Sequence, residues 1–120
     1  MSSLNRPLAG QPLHFHLGGG RSALVDAALL EKSGRSARTL VKEGPMRVTL
    51  IALAAGGNLA PHHAEGPITV HVLDGAIRFL AGDDSWELSA GDVLSLPAGV
   101  QHAVESESGG EFLVTIAREG

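Results

Sequence analysis

The chain contains no cysteine and no tyrosine, and only one tryptophan and three phenylalanines among its 120 residues. Without thiols there is no disulfide to staple the fold, no thiolate ligand and no cysteine nucleophile. Any metal must therefore sit on imidazole, carboxylate or water, which points to a hard or borderline divalent ion. So few rings leave little surface on which bases could stack, and the core has to come from Val, Leu, Ile and Ala. Concentrated positive charge is missing too. The formal charge is −4, and Lys and Arg are scattered from position 6 to position 118, so no direct nucleic-acid partner is expected. No apolar run is long enough to span a bilayer, and the opening MSSLNRPLAGQPLHFHLGGG lacks the basic-then-apolar layout of a secretory leader. The expectation is a soluble cytoplasmic protein with no membrane partner.

What is present has the size of one domain, with 43% hydrophobic residues to build a core. Residues 1–21 form an N-terminal arm: two prolines fall in the first twenty, and LGGGR at 17–21 marks a flexible joint before the body. Residues 22–34 carry Leu24, Ala27, Ala28, Leu29 and Leu30 at helical spacing, with Ser22 placed to cap the start and Gly34 to end it. From 35 to 120 the texture changes to short β-branched runs between Gly, Pro and Asp turns. MRVTLIALA at 46–54 alternates at first and is then apolar on both faces, which suits a strand buried on both sides. ITVHVL (68–73), the dipeptide Asp74-Gly75, AIRFLA (76–81), the GDD turn and SWEL (85–88) follow, and the dipeptide predicts a hairpin. About eight strands predict an all-β, antiparallel closed barrel or double-sheet jelly roll carrying the arm and one short helix.

GDVLSLPAGVQHAVE is the most specific stretch. Gly91, five residues, Pro97, one residue, Gly99, two residues and His102 resemble the second motif of the cupin family with its spacing intact, although Ser106 stands where the family often has Asn. A degenerate first motif precedes it. Counting back from Gly75, the family's Glu position falls on Ile68, its two His positions on His62 and Ala64, and Gly56 lies five residues before His62. The resemblance covers roughly residues 45–117. It implies a small conserved-barrel cupin, a homodimer in common with many members, and a fold that serves metal-dependent dioxygenases and isomerases, metal-free epimerases, storage proteins and ligand sensors alike.

The same resemblance implies a metal site on His62 and His102. Two imidazoles are fewer than the three protein ligands ordinary for a catalytic ion. His63 is a further candidate, because the longer spacing the family allows puts its second histidine there, but neighbouring residues of a regular strand face opposite ways, so His63 joins His62 only through a kink near Pro61 or Gly66-Pro67. His71 is another. Alternation from inward Ile68 and Val70, the expected pocket residues, places it on the outer face as a dimer contact unless a bulge at Gly66-Pro67 reverses the register. Glu65 reads as a solvated turn residue, the His14 and His16 pair as arm surface, Trp86 and Phe79 as core, and SESGGE at 106–111 as an exposed turn.

The resemblance and these residues together imply a small-molecule-binding cupin whose histidines are candidates to hold Fe, Mn, Ni or Zn and which, if an enzyme, acts as an oxygenase, isomerase or lyase on a small organic substrate. The alternatives are a metal-free ligand-binding or sensor barrel without catalytic activity, favoured by apolar Ile68 in the pocket, and a mainly structural dimeric barrel.

Overall fold

A computed structural model describes residues 7–17, 22 and 24–118 of the chain. The Gly-rich joint at 18–21 and the first six residues of the arm lie outside the described residues. One helix and eight strands follow one another: α1 (Ala27–Ser33), β1 (Arg35–Glu43), β2 (Met46–Leu53), β3 (Asn58–His63), β4 (Ile68–Ala81), β5 (Asp84–Ser89), β6 (Val93–Leu96), β7 (Gln101–Glu105) and β8 (Gly110–Ala117). All pairings are antiparallel. The sheet runs β1-β2-β8-β4-β7-β3, with β5 and β6 each added to β4, and it curls into a jelly-roll barrel. No helix among the described residues is long and apolar enough to cross a membrane.

The helix is shorter than the apolar spacing predicts. It starts at Ala27, because the Asp26 carboxylate accepts from the Leu29 N–H at 3.0 Å and caps it there, and it ends at Gly34, whose φ of 82° allows its N–H to reach the Leu30 carbonyl at 2.8 Å. Ser22, expected as the cap, does other work. Its N–H donates to both carboxylate oxygens of Glu111, at 3.0 and 3.2 Å, and ties the approach to the helix onto β8.

Asp74-Gly75 is not a hairpin turn. β4 continues through it for 14 residues, pairing with β6 before the dipeptide, with β8 up to and including it and with β5 and β7 after it, and a bulge between Val72 and Asp74 bends the strand from one side of the barrel to the other. Gly75 has φ of 73° and lies where any Cβ would strike the Gly109 carbonyl, so close approach to β8 explains the glycine. The chain actually reverses at Gly82-Asp83, where Ala81 pairs with Asp84.

Two apolar clusters result. The barrel interior is filled by Leu53, Ile68, Val70, Val72, Ile77, Phe79, Phe112 and their neighbours, with Trp86 packed against them. A second cluster lies outside β1 and β2, where Leu40, Leu50 and Ala52 meet Val25 and Leu30 and are covered by Phe15 and Leu17 of the arm. β2 sits between the two, which explains why its later residues are apolar on both faces. Each fully buried Leu or Phe contributes about 1.5–3 kcal/mol. The arm is fixed along β1 by the Lys42 N–H donating to the Leu8 carbonyl and the Gly10 N–H to the Glu43 carboxylate.

The 106–111 segment is less exposed than its composition suggests. Glu107 and Ser108 face solvent, but Ser106 and Glu111 are 1% and 3% exposed. Ser106 joins three parts of the chain. Its hydroxyl donates to the Ala76 carbonyl at 2.6 Å and accepts from the Gly109 N–H at 2.8 Å, while its backbone exchanges bonds with Gly56 and Gly57.

Candidate functional site

His102 is positioned by the stretch that carries the second motif. Gly91, at φ 96°, lets the chain reverse between β5 and β6, and the Asp92 carboxylate closes that turn by accepting from the Ser89 N–H at 2.9 Å. Backbone bonds from Gly91 to Val72 and from Val72 to Asp92 pin the turn to β4. After β6, Gly99 at φ 83° turns the chain again, and its N–H donates to the Ala64 carbonyl. His102 then enters β7 opposite Ala81 and faces the interior, 6% exposed, stacked 5.2 Å from the buried Phe79 ring.

His62 reaches the same place through an irregularity in β3. Leu59 pairs with Val104 and His62 with His102, so three steps along β3 match two along β7, and the extra residue falls at Ala60-Pro61. Leu59 packs toward the core. Without the extra residue its face would be shared by His63; with it, His62 takes that face and His63, opposite Gln101, takes the other.

The two rings meet edge to face, centroids 4.3 Å apart, with Nε2 to Nε2 at 3.1 Å. Each Nδ1 faces a carbonyl oxygen at 3.1 Å, Ala60 for His62 and Val100 for His102. A carbonyl only accepts, so both Nδ1 atoms carry protons and both Nε2 lone pairs face each other. Three contacts need three protons, whereas two neutral rings hold two. With both rings neutral, the two facing Nε2 lone pairs offer a place for one cation, a proton supplied by acid or a metal ion. Burial holds His102 below its ordinary imidazole value; the Val100 carbonyl opposes this, and the charges of His62 and His63 add to it.

The other expected site residues lie elsewhere. His71 is exposed between the fully buried Val70 and Val72 and pairs with Leu113 and Val93 on the outer face. Ile68 and Val70 point inward, at 5% and 0% exposure, and fill the core. Glu65 pairs with Arg118 at 3.0 Å, and His14 and His16 are exposed on the arm. Among the described residues no group of three or more His, Cys, Asp or Glu side chains is arranged to hold a metal. The donor set therefore falls short of a resident ion's ordinary needs: two imidazoles meet, and the place of the family's carboxylate is apolar Ile68.

The bent β4, the jelly-roll order and an interior histidine following a Gly-Pro-Gly strand connection define a small barrel of the cupin class. The chain belongs to the cupin family: it matches the cupin domain over residues 42–116, within the conserved-barrel type. Among solved structures it is similar to a conserved protein of unknown function from Streptococcus pyogenes (19% identity, 91% of this chain and 99% of that one, TM-score 0.68). It is equally similar to a cupin superfamily protein from Desulfitobacterium hafniense (19%, 89% and 100%, TM-score 0.70). A cupin 2 conserved barrel domain protein from Leptotrichia buccalis shares 27% identity over 70% of this chain and 41% of that one, with a TM-score of 0.67. No curated protein matches the chain.

Proposed function

We propose that this cupin binds a small organic molecule without a resident metal and without catalysing a reaction, using the His62 and His102 imidazoles as its polar contact. The observation that carries the reading is the pairing itself. Both Nδ1 atoms are engaged by backbone carbonyls, both Nε2 atoms converge at 3.1 Å, and no third ligating side chain joins them among the described residues. Such a pair offers two directed lone pairs at the edge of an apolar interior, the ordinary composition of a small-ligand site. A homodimer belongs to the same reading, and a monomer mass by light scattering at micromolar concentration would remove that part of it.

One observation favours a second reading. Two Nε2 atoms 3.1 Å apart can both lie about 2.0–2.1 Å from one ion, at an angle of about 95–100°. Fe, Mn, Ni or Zn could then sit between the two Nε2 atoms, and an oxygenase, isomerase or lyase would rest on that ion. Elemental analysis separates the two. The proposal expects no stoichiometric metal in purified protein, before or after incubation with iron, manganese, nickel and zinc salts. One ion per chain, lost in His102→Ala, would overturn it.

A further inference from the structure

β1 and β3 are the two ends of the strand order, and among the described strands they do not pair with one another, so the barrel is open along that seam. An open cleft of about 420 Å³ lies there, within the range of small-molecule sites. Three strands and the helix build it. Ala37 of β1, Ile51 of β2 and Leu59 of β3 line it with Leu29 of α1, and Arg35 and Ser36 line it from the start of β1. Ile51 and Leu59 also pack on the interior cluster, so the floor of the cleft is continuous with the barrel core. Leu29 is a large apolar side chain left 44% exposed at the rim.

The roof is held in place. Gly34, between α1 and β1, accepts from the Ala54 N–H at 2.9 Å, and a Cβ on Gly57 would meet the Gly34 carbonyl at 2.5 Å, so the β2–β3 connection is seated against the helix end. The helix end beside the cleft is thus fixed. Its charge is one-sided. Arg35 is its only cationic lining residue and no acidic residue lines it, while the ion pairs formed among the described residues join Arg78 to Glu87 and Glu105 and Arg118 to Glu65. A guanidinium with no carboxylate partner, beside an apolar floor, matches a ligand with an apolar body and a single carboxylate.

We infer that the seam between β1 and β3 is a binding site for small amphipathic carboxylates, separate from the histidine pair: the apolar body lies on Ala37, Ile51, Leu59 and Leu29, and the carboxylate pairs with Arg35. This does not depend on what His62 and His102 bind.

The test is titration of the ¹⁵N-labelled full chain with sodium octanoate and, separately, with 1-octanol, followed by amide shifts. Octanoate is expected to saturate shifts at Ser36, Ala37, Ile51 and Leu59. Arg35→Gln, an exposed position whose own spectrum reports its fold, should weaken octanoate by at least about fivefold and leave 1-octanol unchanged. His102→Gln should leave octanoate affinity as it is. Shifts centred on residues 60–63 and 100–103, equal octanoate affinity in Arg35→Gln, or no cleft shift at millimolar octanoate would each overturn the inference.

Discussion

Replacing Ser106 by Ala removes one oxygen atom and should cost more than most surface deletions. The hydroxyl is buried and makes two bonds at once, donating to the Ala76 carbonyl at 2.6 Å and accepting from the Gly109 N–H at 2.8 Å. Each such bond is worth about 1 kcal/mol net, and backbone groups left without a partner in a buried setting add to the loss, giving about 2–3 kcal/mol. Unfolding entropy of about 2.1 cal/mol/K per residue over this chain converts that to a fall in Tm of about 8–12 °C. Urea unfolding followed by fluorescence of the single tryptophan, half-buried Trp86, gives the free energy and the slope together. Stability should fall by the stated amount with the slope unchanged. Glu107→Ala, one residue away and exposed, should stay within about 0.5 kcal/mol. A Ser106→Ala loss below about 0.5 kcal/mol would refute the reasoning, since the hydroxyl would then hold nothing together.

Two further outcomes follow from other positions. His102 has a folded value below its unfolded one of about 6.5, so the unfolded state binds the proton more tightly. The resulting stability is complete above about pH 6.5 and is lost as pH falls through the lower folded value. The urea midpoint should therefore drop on acidification and drop less in His102→Gln, and a midpoint that rises would contradict the cause assigned. Gly75→Ala adds a Cβ at φ 73° against the Gly109 carbonyl and should destabilise by at least about 2 kcal/mol in thermal unfolding; a neutral result would mean that the bend in β4 does not require glycine.

What the sequence made legible was local. Gly91, Pro97, Gly99 and His102 act through turns only a few residues long, so their spacing places His102 at the start of a strand, and the resemblance to the cupin motif implies that it faces the interior. The alternation of Ile68, Val70 and Val72 likewise puts His71 outside without help from other strands. What escaped depends on partners far along the chain. Asp74-Gly75 has the composition of a hairpin, yet the approach of β8 at Gly109 turns it into a bend. Ser22 has the composition of a helix cap, yet the helix starts later, at the Asp26 cap, and the Ser22 N–H is tied to Glu111, 89 residues along the chain. The choice between His62 and His63 depends on one extra residue in β3, visible only once β7 supplies the register. Of the two local hints of a kink, Pro61 and Gly66-Pro67, Pro61 marks the place, because it has no N–H to give a regular ladder.

The central claim is that His62 and His102 form a metal-free pair with both Nδ1 atoms protonated and both Nε2 atoms turned toward each other. Imidazole ¹⁵N spectra of the purified protein, recorded at neutral pH before and after dialysis against a chelator, test it most directly. The expected result is Nδ1–H signals from both rings and Nε2 signals that do not change on dialysis. An unprotonated Nδ1 in either ring, or Nε2 signals that move when the chelator is applied, would contradict it.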